Sequence, residues 1–343
     1  MLVKKEKVSL LDSNPTPINY LPTLSKELGV ELFIKRDDLT MFGAGGNKMR
    51  KLEYILYDAI QKGATTLLTV GGAQTNHGRQ TAAAAARFGM KCVIVCVDEY
   101  PGEVSANLLL DGIFNAEVVL KKNDGRDYDV QLAEIMANVK KRYEDMGEIV
   151  YEIPVGGSDV TGVMGYYECA VEITAQAKNL GIEDATVVAG VGSMGTYMGL
   201  YCGLKNEGSP LGLTGIAILP FNEYHDKRIV EYFQQVKKEY NLSIDACLED
   251  FNIETSYTRG AYNNPDSTVR QAIYRVARTE AILLDPCYTG KVFAGVLDMI
   301  NEGKIKKGEK IILLHTGGMP GLYTKHHRVE FEKELIDHFT ILD

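Results

Sequence analysis

A chain of 343 residues, 45% of them apolar, is too long for one small domain and suits two lobes that share a core. Its formal net charge of -9 and its lack of an extended basic run argue against nucleic acid or anionic membrane as a partner. No apolar run approaches the roughly 20 residues of a membrane span, and the start, Met1-Leu2-Val3-Lys4-Lys5-Glu6-Lys7, has no apolar core followed by a small-residue cleavage site, so a cytoplasmic protein is expected.

The first informative segment is Gly45-Gly46-Asn47-Lys48-Met49-Arg50-Lys51-Leu52-Glu53, a glycine-led turn opening into an amphipathic stretch. From Met49 to Ile60, the residues Leu52, Ile55, Leu56, Ala59 and Ile60 share one helical face, while Lys51, Glu53 and Asp58 fall mostly off it. Lys48 is thereby placed at a helix N-terminus. A lysine buried on such a short, immobile base has a lowered pKa and a usable amine, which suits a Schiff-base lysine for an aldehyde cofactor. The plainer reading is a pair of solvated lysines opening an ordinary helix.

Strand and helix signals then alternate: Thr66 to Val70, a helix over Gln80 to Phe88, Cys92 to Val97, and Glu117 to Leu120. A second series begins near Gly162 and includes Thr186 to Ala189, Gly215 to Leu219 and Ile311 to Leu314. Continuous rather than alternating apolar strands predict parallel sheets covered by helices on both faces. Two lobes with a cleft between them follow, the chain crossing near Lys51 and Gly162: residues 1–50 and 162–343 as the larger lobe, 51–161 as the smaller. Asn241 to Asn264 is irregular and polar, a loop placed to border a site. The six cysteines, Cys92, Cys96, Cys169, Cys202, Cys247 and Cys287, show no Cys-x-x-Cys pair and read as reduced core residues. The histidines form no spaced ligand set, so no catalytic metal is expected.

Four further motifs carry chemistry. Gly71-Gly72-Ala73-Gln74-Thr75-Asn76-His77 follows a strand; its backbone donors could hold a carboxylate and Asn76 a phenolic oxygen, although the turn also reads as a helix cap. Gly190-Val191-Gly192-Ser193-Met194-Gly195-Thr196 lies between a strand and the helical run Tyr197 to Leu204, and reads as a phosphate cradle. It lacks the third glycine and distant acid of a dinucleotide fingerprint and the Gly-Lys-Ser/Thr of a P-loop, so a single monophosphate is expected. In Leu284-Asp285-Pro286-Cys287-Tyr288-Thr289-Gly290-Lys291 and His315-Thr316-Gly317-Gly318, Tyr288 could stack or exchange a proton and Thr316 could meet a ring nitrogen; equally, they read as a packing tyrosine and a strand-end hydroxyl.

With five motifs in this order, the chain from about Pro17 to Gly321 resembles the pyridoxal-phosphate enzymes of the tryptophan synthase β-subunit fold, and within them the 1-aminocyclopropane-1-carboxylate deaminase and D-cysteine desulfhydrase family. The resemblance implies an α/β fold of two open twisted sheets with the active site in the interdomain cleft, pyridoxal 5'-phosphate as cofactor, and a homodimer. It makes Lys48 the Schiff-base lysine, with Lys51 helping to hold a phosphate on Gly192, Ser193, Met194, Gly195 and Thr196. It assigns Thr75, Asn76 and His77 to the substrate carboxylate, Asn76 also lying near the cofactor's phenolic oxygen, and makes Tyr288 the active-site tyrosine with Tyr262 a second one. Where the deaminase branch resembles Tyr-Glu-Gly-Lys and His-Leu-Gly-Gly, this chain has Thr289 and Thr316; a threonine leaves the pyridine nitrogen largely unprotonated, a milder sink that suits β-elimination over ring opening.

The implied reaction has the freed Lys48 amine taking the α-proton of a small amino acid, while Thr75 and Tyr288 orient or protonate around Cβ. With D-cysteine the products are pyruvate, ammonia and sulfide. Two departures stand out: Thr75 replaces the usual serine, and Tyr257-Thr258-Arg259-Gly260-Ala261-Tyr262-Asn263-Asn264-Pro265 replaces a Gly-x-Tyr-Gly-x-Pro-Asn pattern. Arg259 is either a solvated loop residue or the partner of an anionic substrate side chain such as a sulfonate, which would make the chain resemble an L-cysteate sulfo-lyase. The same motifs also suit a 1-aminocyclopropane-1-carboxylate deaminase, or a protein that binds pyridoxal phosphate without turnover.

Overall fold

The computed structural model describes residues 5–10, 15–340 and 342. The expectation of no cleavable leader falls mainly on Met1, Leu2, Val3 and Lys4, which lie outside the described residues. The strands are β1 (Ile18–Tyr20), β2 (Glu31–Arg36), β3 (Thr66–Val70), β4 (Lys91–Val97), β5 (Glu117–Lys121), β6 (Val150–Ile153), β7 (Thr186–Val191), β8 (Gly212–Ala217), β9 (Ile253–Glu254) and β10 (Lys310–His315). The helices are α1 (Pro22–Leu28), α2 (Lys48–Gln61), α3 (Asn76–Arg87), α4 (Ala106–Ile113), α5 (Tyr128–Asp145), α6 (Met164–Leu180), α7 (Gly195–Asn206), α8 (Glu223–Tyr240), α9 (Ser267–Glu280), α10 (Thr289–Asn301) and α11 (Lys325–Leu335).

One sheet runs β1-β2-β10-β7-β8-β9, parallel apart from the antiparallel edge β1. The other runs β5-β4-β3-β6, all parallel. Along β10, Ile311 and Leu313 join one core with Leu32, Ile34 and Val188, while Ile312 and Leu314 join another with Phe33 and Val187. In the smaller sheet Leu67 and Ile94 enter one core, and Leu68, Val93 and Val95 a second. Side chains alternate along a strand, so two covered faces demand an unbroken apolar run; each buried aliphatic contributes about 1.5–3 kcal/mol.

Strands β2 and β6 go beyond the sequence expectation, because Glu31, Lys35, Arg36 and Glu152 interrupt their apolar runs. The irregular stretch after Asn241 carries the short edge strand β9. Five cysteines are buried, but Cys247 is exposed, in the polar segment where its thiol meets Asp250, and is no core residue. No helix among the described residues is long and apolar enough to cross a membrane.

Helix α2 departs most from simple amphipathicity. Every residue from Met49 to Leu56 is buried, including Lys51 and Glu53, whereas Ile60 is 37% exposed. The helix packs against both α6 and α3, so its first two turns have no solvent side. At the α6 crossing a Cβ on Gly165 would lie 2.3 Å from the Arg50 carbonyl carbon, so the helices meet backbone to backbone. The charges carried inside are matched. Arg50 donates through Nε and Nη2 to Asp37, each at 2.9 Å, and through Nη1 to Glu172 at 3.0 Å. Glu53 accepts from the Leu10 N–H at 2.9 Å and pairs with Lys7 at 3.0 Å. Burial alone would raise the Asp37 carboxyl, but the charge and hydrogen bonds of Arg50, with Lys35 and the Tyr166 hydroxyl, outweigh it and hold that carboxyl below its ordinary range.

Removing one partner of such a pair leaves an uncompensated charge. Asp37→Ala should therefore destabilise the protein by about 3–5 kcal/mol, read from the urea unfolding midpoint, whereas a loss of only a few tenths would mean that Glu172 alone satisfies Arg50.

Candidate active site

A cavity of about 470 Å³ is walled by segments that follow the C-terminal ends of parallel strands: Gly71 to His77 after β3, Val155 and Gly156 after β6, Gly192 to Thr196 after β7, Leu219 after β8 and Thr316 after β10. Ligand sites of open α/β sheets form at these ends.

Lys48, the first residue of α2, lines the cavity. Its backbone is pinned from both sheets' sides. The Asn47 N–H donates to the Thr316 carbonyl at 3.0 Å, the Met49 N–H to Gln80 Oε1 at 3.0 Å, and the Asn47 side-chain amide to Thr196 Oγ1 at 3.1 Å. Its amine has no hydrogen-bond partner among the described residues, and burial pushes its pKa down to about 8.

The connection between β7 and α7 is built to receive an anion. Met194 takes a left-handed conformation at φ 67°, uncommon for a residue with a side chain, and its own side chain is locked in the core. The N–H groups of Ser193, Met194 and Thr196 find no acceptor among the described residues. A Cβ on Gly195 would lie 2.5 Å from Ser158 Oγ and 2.7 Å from Lys51 Nζ, so only glycine lets the loop pass over this lysine. Lys51 donates to the Gly156 carbonyl at 3.1 Å and to Ser158 Oγ at 3.2 Å, and Ser158 Oγ lies 2.8 Å from Ser193 Oγ. Burial first, and then the charge of Lys48, push the Lys51 pKa well below the ordinary value; an anion on the loop would offset both. Free N–H groups, a helix start and a buried cation fit a phosphate ester, and the unpaired Lys48 amine beside them fits an aldehyde.

On the wall formed by the other sheet, Thr75 caps α3, its Oγ1 accepting from the Gly78 N–H at 3.3 Å. The N–H groups of Asn76 and His77 have no acceptor among the described residues, so the turn is at once a cap and an anion site. The Asn107 amide donates to Asn76 Oδ1 at 2.9 Å. The His77 ring lies 2.9 Å from Thr69 Oγ1, and burial with the charges of Lys48 and Lys51 holds it neutral. The hydroxyls of Tyr288 and Tyr262 are 2.8 Å apart with their rings edge to face, and burial raises the Tyr288 pKa, keeping a neutral phenol. The Thr316 hydroxyl has no partner among the described residues.

Two residues singled out from sequence are not at the cavity. Thr289 is buried in the turn that opens α10: its hydroxyl donates to Asp285 Oδ1 at 2.8 Å and accepts from the Asp285 N–H at 2.8 Å. Arg259, in a left-handed turn at φ 56°, pairs with Asp298 of α10 and is neither solvated nor on the cavity wall. Lys51 and Gly195 lie just beneath the wall. Conversely, the sequence reading misses Asn47 as a side-chain contact, Gly156 and Ser158, and a rim of Tyr128, Tyr224, His225 and Arg228. Gly156-Gly157-Ser158 carried a signal, being a further paired-glycine turn with a hydroxyl residue directly after it. The rim residues carried none, since no motif surrounds them.

A two-lobed α/β enzyme with a buried lysine amine beside a phosphate cradle is the class these features define. The chain belongs to the pyridoxal-phosphate dependent enzymes, whose family model matches residues 10–317. It is 39% identical over 326 residues to a D-cysteine desulfhydrase of Yersinia enterocolitica, covering 93% of this chain and 96% of that one. A solved structure described as an ACC deaminase homologue superposes with a TM-score of 0.85 at 33% identity, covering 98% of this chain and 97% of the other. O-ureido-L-serine synthase, at 19% identity and a TM-score of 0.64 over 90% of both chains, shares the fold. The fold is that of the tryptophan synthase β-subunit-like enzymes, and pyridoxal phosphate is the cofactor.

A lysine with its pKa near 8 is half deprotonated there, and an ordinary one only near 10.5. The rate at which cofactor-stripped protein takes up pyridoxal phosphate, followed by visible absorbance, should rise with pH in step with the free amine and flatten above about 8. A rate still climbing at pH 10 would mean that Lys48 is solvated.

Proposed function

We propose that the chain catalyses β-elimination on a small amino acid, converting D-cysteine to pyruvate, ammonia and sulfide. The observation that carries the reading is one cavity in which the unpaired Lys48 amine meets the Thr75 to His77 turn, Tyr288 and a monophosphate loop. The likeness to a desulfhydrase supports sulfide as the leaving group.

Bound pyridoxal phosphate supplies an electron sink for charge developing at the substrate α-carbon. Gly192, Ser193, Met194, Gly195 and Thr196, with Lys51 beneath them, would hold its phosphate, and Asn76 and Thr316 its ring heteroatoms. The Lys48 amine accepts the α-proton, its lowered pKa keeping it available as a base near neutral pH. Thr75 and the N–H groups of Asn76 and His77 hold the substrate carboxylate, which fixes the α-hydrogen relative to Lys48. Tyr288, neutral and steadied by Tyr262, protonates the departing sulfur. Asp285 already occupies the Thr289 hydroxyl, so the neutral partner for a ring nitrogen is Thr316 alone. A neutral partner suits a good leaving group and disfavours the opening of a cyclopropane.

In the same reading residues 1–50 with 162–343 form the cofactor lobe and 51–161 the smaller lobe, in keeping with the two sheets. The enzyme works in the cytoplasm, in keeping with six free thiols, and as a homodimer, as its resemblance suggests.

The test is a parallel assay of purified protein with D-cysteine, L-cysteine and 1-aminocyclopropane-1-carboxylate, measuring 2-oxo acid and sulfide. D-Cysteine should give both products. Tyr288→Phe should lower kcat by about 10²–10⁴-fold, and Lys48→Ala should abolish turnover. Release of 2-oxobutyrate from the cyclopropane as the main activity would overturn the reading.

A further inference from the structure

Asn107, the second residue of α4, is 1% exposed and stands off the cavity wall, yet both hydrogen bonds of its side chain lead to the turn that carries Asn76. Its Nδ2 donates to the Gln74 carbonyl at 2.8 Å and to Asn76 Oδ1 at 2.9 Å. Gln74 returns the clasp. Its Oε1 accepts from the Asn107 N–H at 2.9 Å, and its Nε2 donates to the Ser105 carbonyl at 3.1 Å. Ser105, the residue ahead of the helix, makes no capping bond with its own hydroxyl, so α4 is capped by Gln74 from the neighbouring turn. Between the two clasped residues Ala106 is held at φ 50°, a left-handed conformation that residues with a Cβ seldom adopt and keep only where their surroundings fix it.

The proposal rests on the reading in which Asn76 meets the phenolic oxygen of the cofactor. A side-chain amide can present either of its ends, and here backbone groups of fixed sign settle which. The Gln74 carbonyl can only accept, so the end of Asn107 that faces it is the NH2 group. One hydrogen of that group goes to the carbonyl, and the other needs an acceptor, so Asn76 turns its Oδ1 toward α4. The Asn76 NH2 group, without an acceptor among the described residues, is left for the cavity that Asn76 lines. Asn107 Oδ1 is buried without a partner among the described residues, so this side chain serves the turn through its donors alone. We propose that Asn107 is a positioning residue that locks Asn76 as a hydrogen-bond donor toward the cavity, so that the phenolic oxygen of the cofactor is held there as an anion. A donor fixed in this sense favours the ionised oxygen, whereas a reversed amide would set Oδ1 against it.

The test is a double-mutant cycle on cofactor affinity. Holoenzymes of the wild type, Asn107→Asp, Asn107→Leu, Asn76→Ala and the two double variants are dialysed to equilibrium against graded pyridoxal phosphate, and bound cofactor is read by visible absorbance. Asn107→Asp keeps the shape of the side chain but sets acceptors against Asn76, turning its NH2 group away from the cavity; Asn107→Leu leaves Asn76 free to turn. Asn107→Asp should raise the cofactor Kd by a factor about tenfold larger when Asn76 is present than in the Asn76→Ala background, where no amide is left to reverse. For Asn107→Leu, which carries the comparison if the aspartate variant does not fold, the excess should be about threefold. An equal factor in both backgrounds would overturn the proposal, since it would mean that Asn107 only supports the packing of α4. An Asn76→Ala holoenzyme with unchanged Kd would instead sink the reading of Asn76, and the proposal with it.

Discussion

Arg50, Lys51 and Glu53 enter the interior, and Lys48 the cavity wall beside them, within six residues of one helix, and each charge has to be resolved before two lobes can pack around it. Two are resolved by counter-charges, Arg50 by Asp37 and Glu172 and Glu53 by Lys7 with the Leu10 N–H, whereas Lys51 has only the neutral Gly156 carbonyl and Ser158 hydroxyl. An unpaired charge in a dry interior costs several kcal/mol, so a group without a partner shifts its pKa instead. Lys51 and Lys48 both lie below the ordinary lysine value for this reason, and Lys48 is the one that lines the cavity with no hydrogen-bond partner among the described residues. Its reactivity is therefore a consequence of how its neighbours are satisfied, and needs no dedicated activating residue. The sign of the cost follows from linkage. The folded pKa, about 8, lies below the ordinary 10.5, so the penalty is complete below pH 8 and is relieved as pH rises between the two values.

The same burial fixes the geometry around Lys48. Helix α2 has backbone contact with α6 at Gly165 and donates the Met49 N–H to Gln80 of α3, so its first turn is referenced to both sheets. Helices α3 and α7 begin at the same cavity, and each presents N–H groups without acceptors among the described residues. These two helix starts, each suited to an anion, lie at the same cavity as a lysine that both lobes position. Neutral His77 completes the balance: a protonated imidazole there would add a third positive charge beside Lys48 and Lys51.

Much of this was legible in the sequence because the signals are local. A glycine turn between an apolar strand and a helical run specifies a helix start at a strand end, which is enough to place Lys48, the Thr75 to His77 turn and the 192–196 loop. What was not legible depends on partners distant in sequence. Lys51 and Glu53 look solvated by helical period, and only the packing of α6 and α3 on opposite sides of α2 buries them. Thr289 looks like a ring-nitrogen contact, yet its hydroxyl is taken by Asp285, four residues earlier. Strands β2 and β6 were hidden by charges at positions that tertiary contacts satisfy.

The two arginines show why a charge cannot be assigned to a site from its neighbourhood in sequence alone. Arg259 sits in an altered loop, three residues before a cavity tyrosine, and is withdrawn by a turn at φ 56° and a carboxylate on α10. Arg228 sits in a helix with no motif around it, yet lines the cavity with the Tyr224 hydroxyl, and no carboxylate, as its partner among the described residues. What decides the function of each is the availability of a counter-charge inside the protein: where the fold supplies one, the arginine holds structure together, and where it does not, a ligand's charge is the partner that remains. Lys48 and the 192–196 loop are positioned by the buried interior of α2 and α7, whereas the rim is formed by Tyr224, His225 and Arg228 of α8. The rim can therefore change its charge without disturbing the constraint that makes Lys48 reactive.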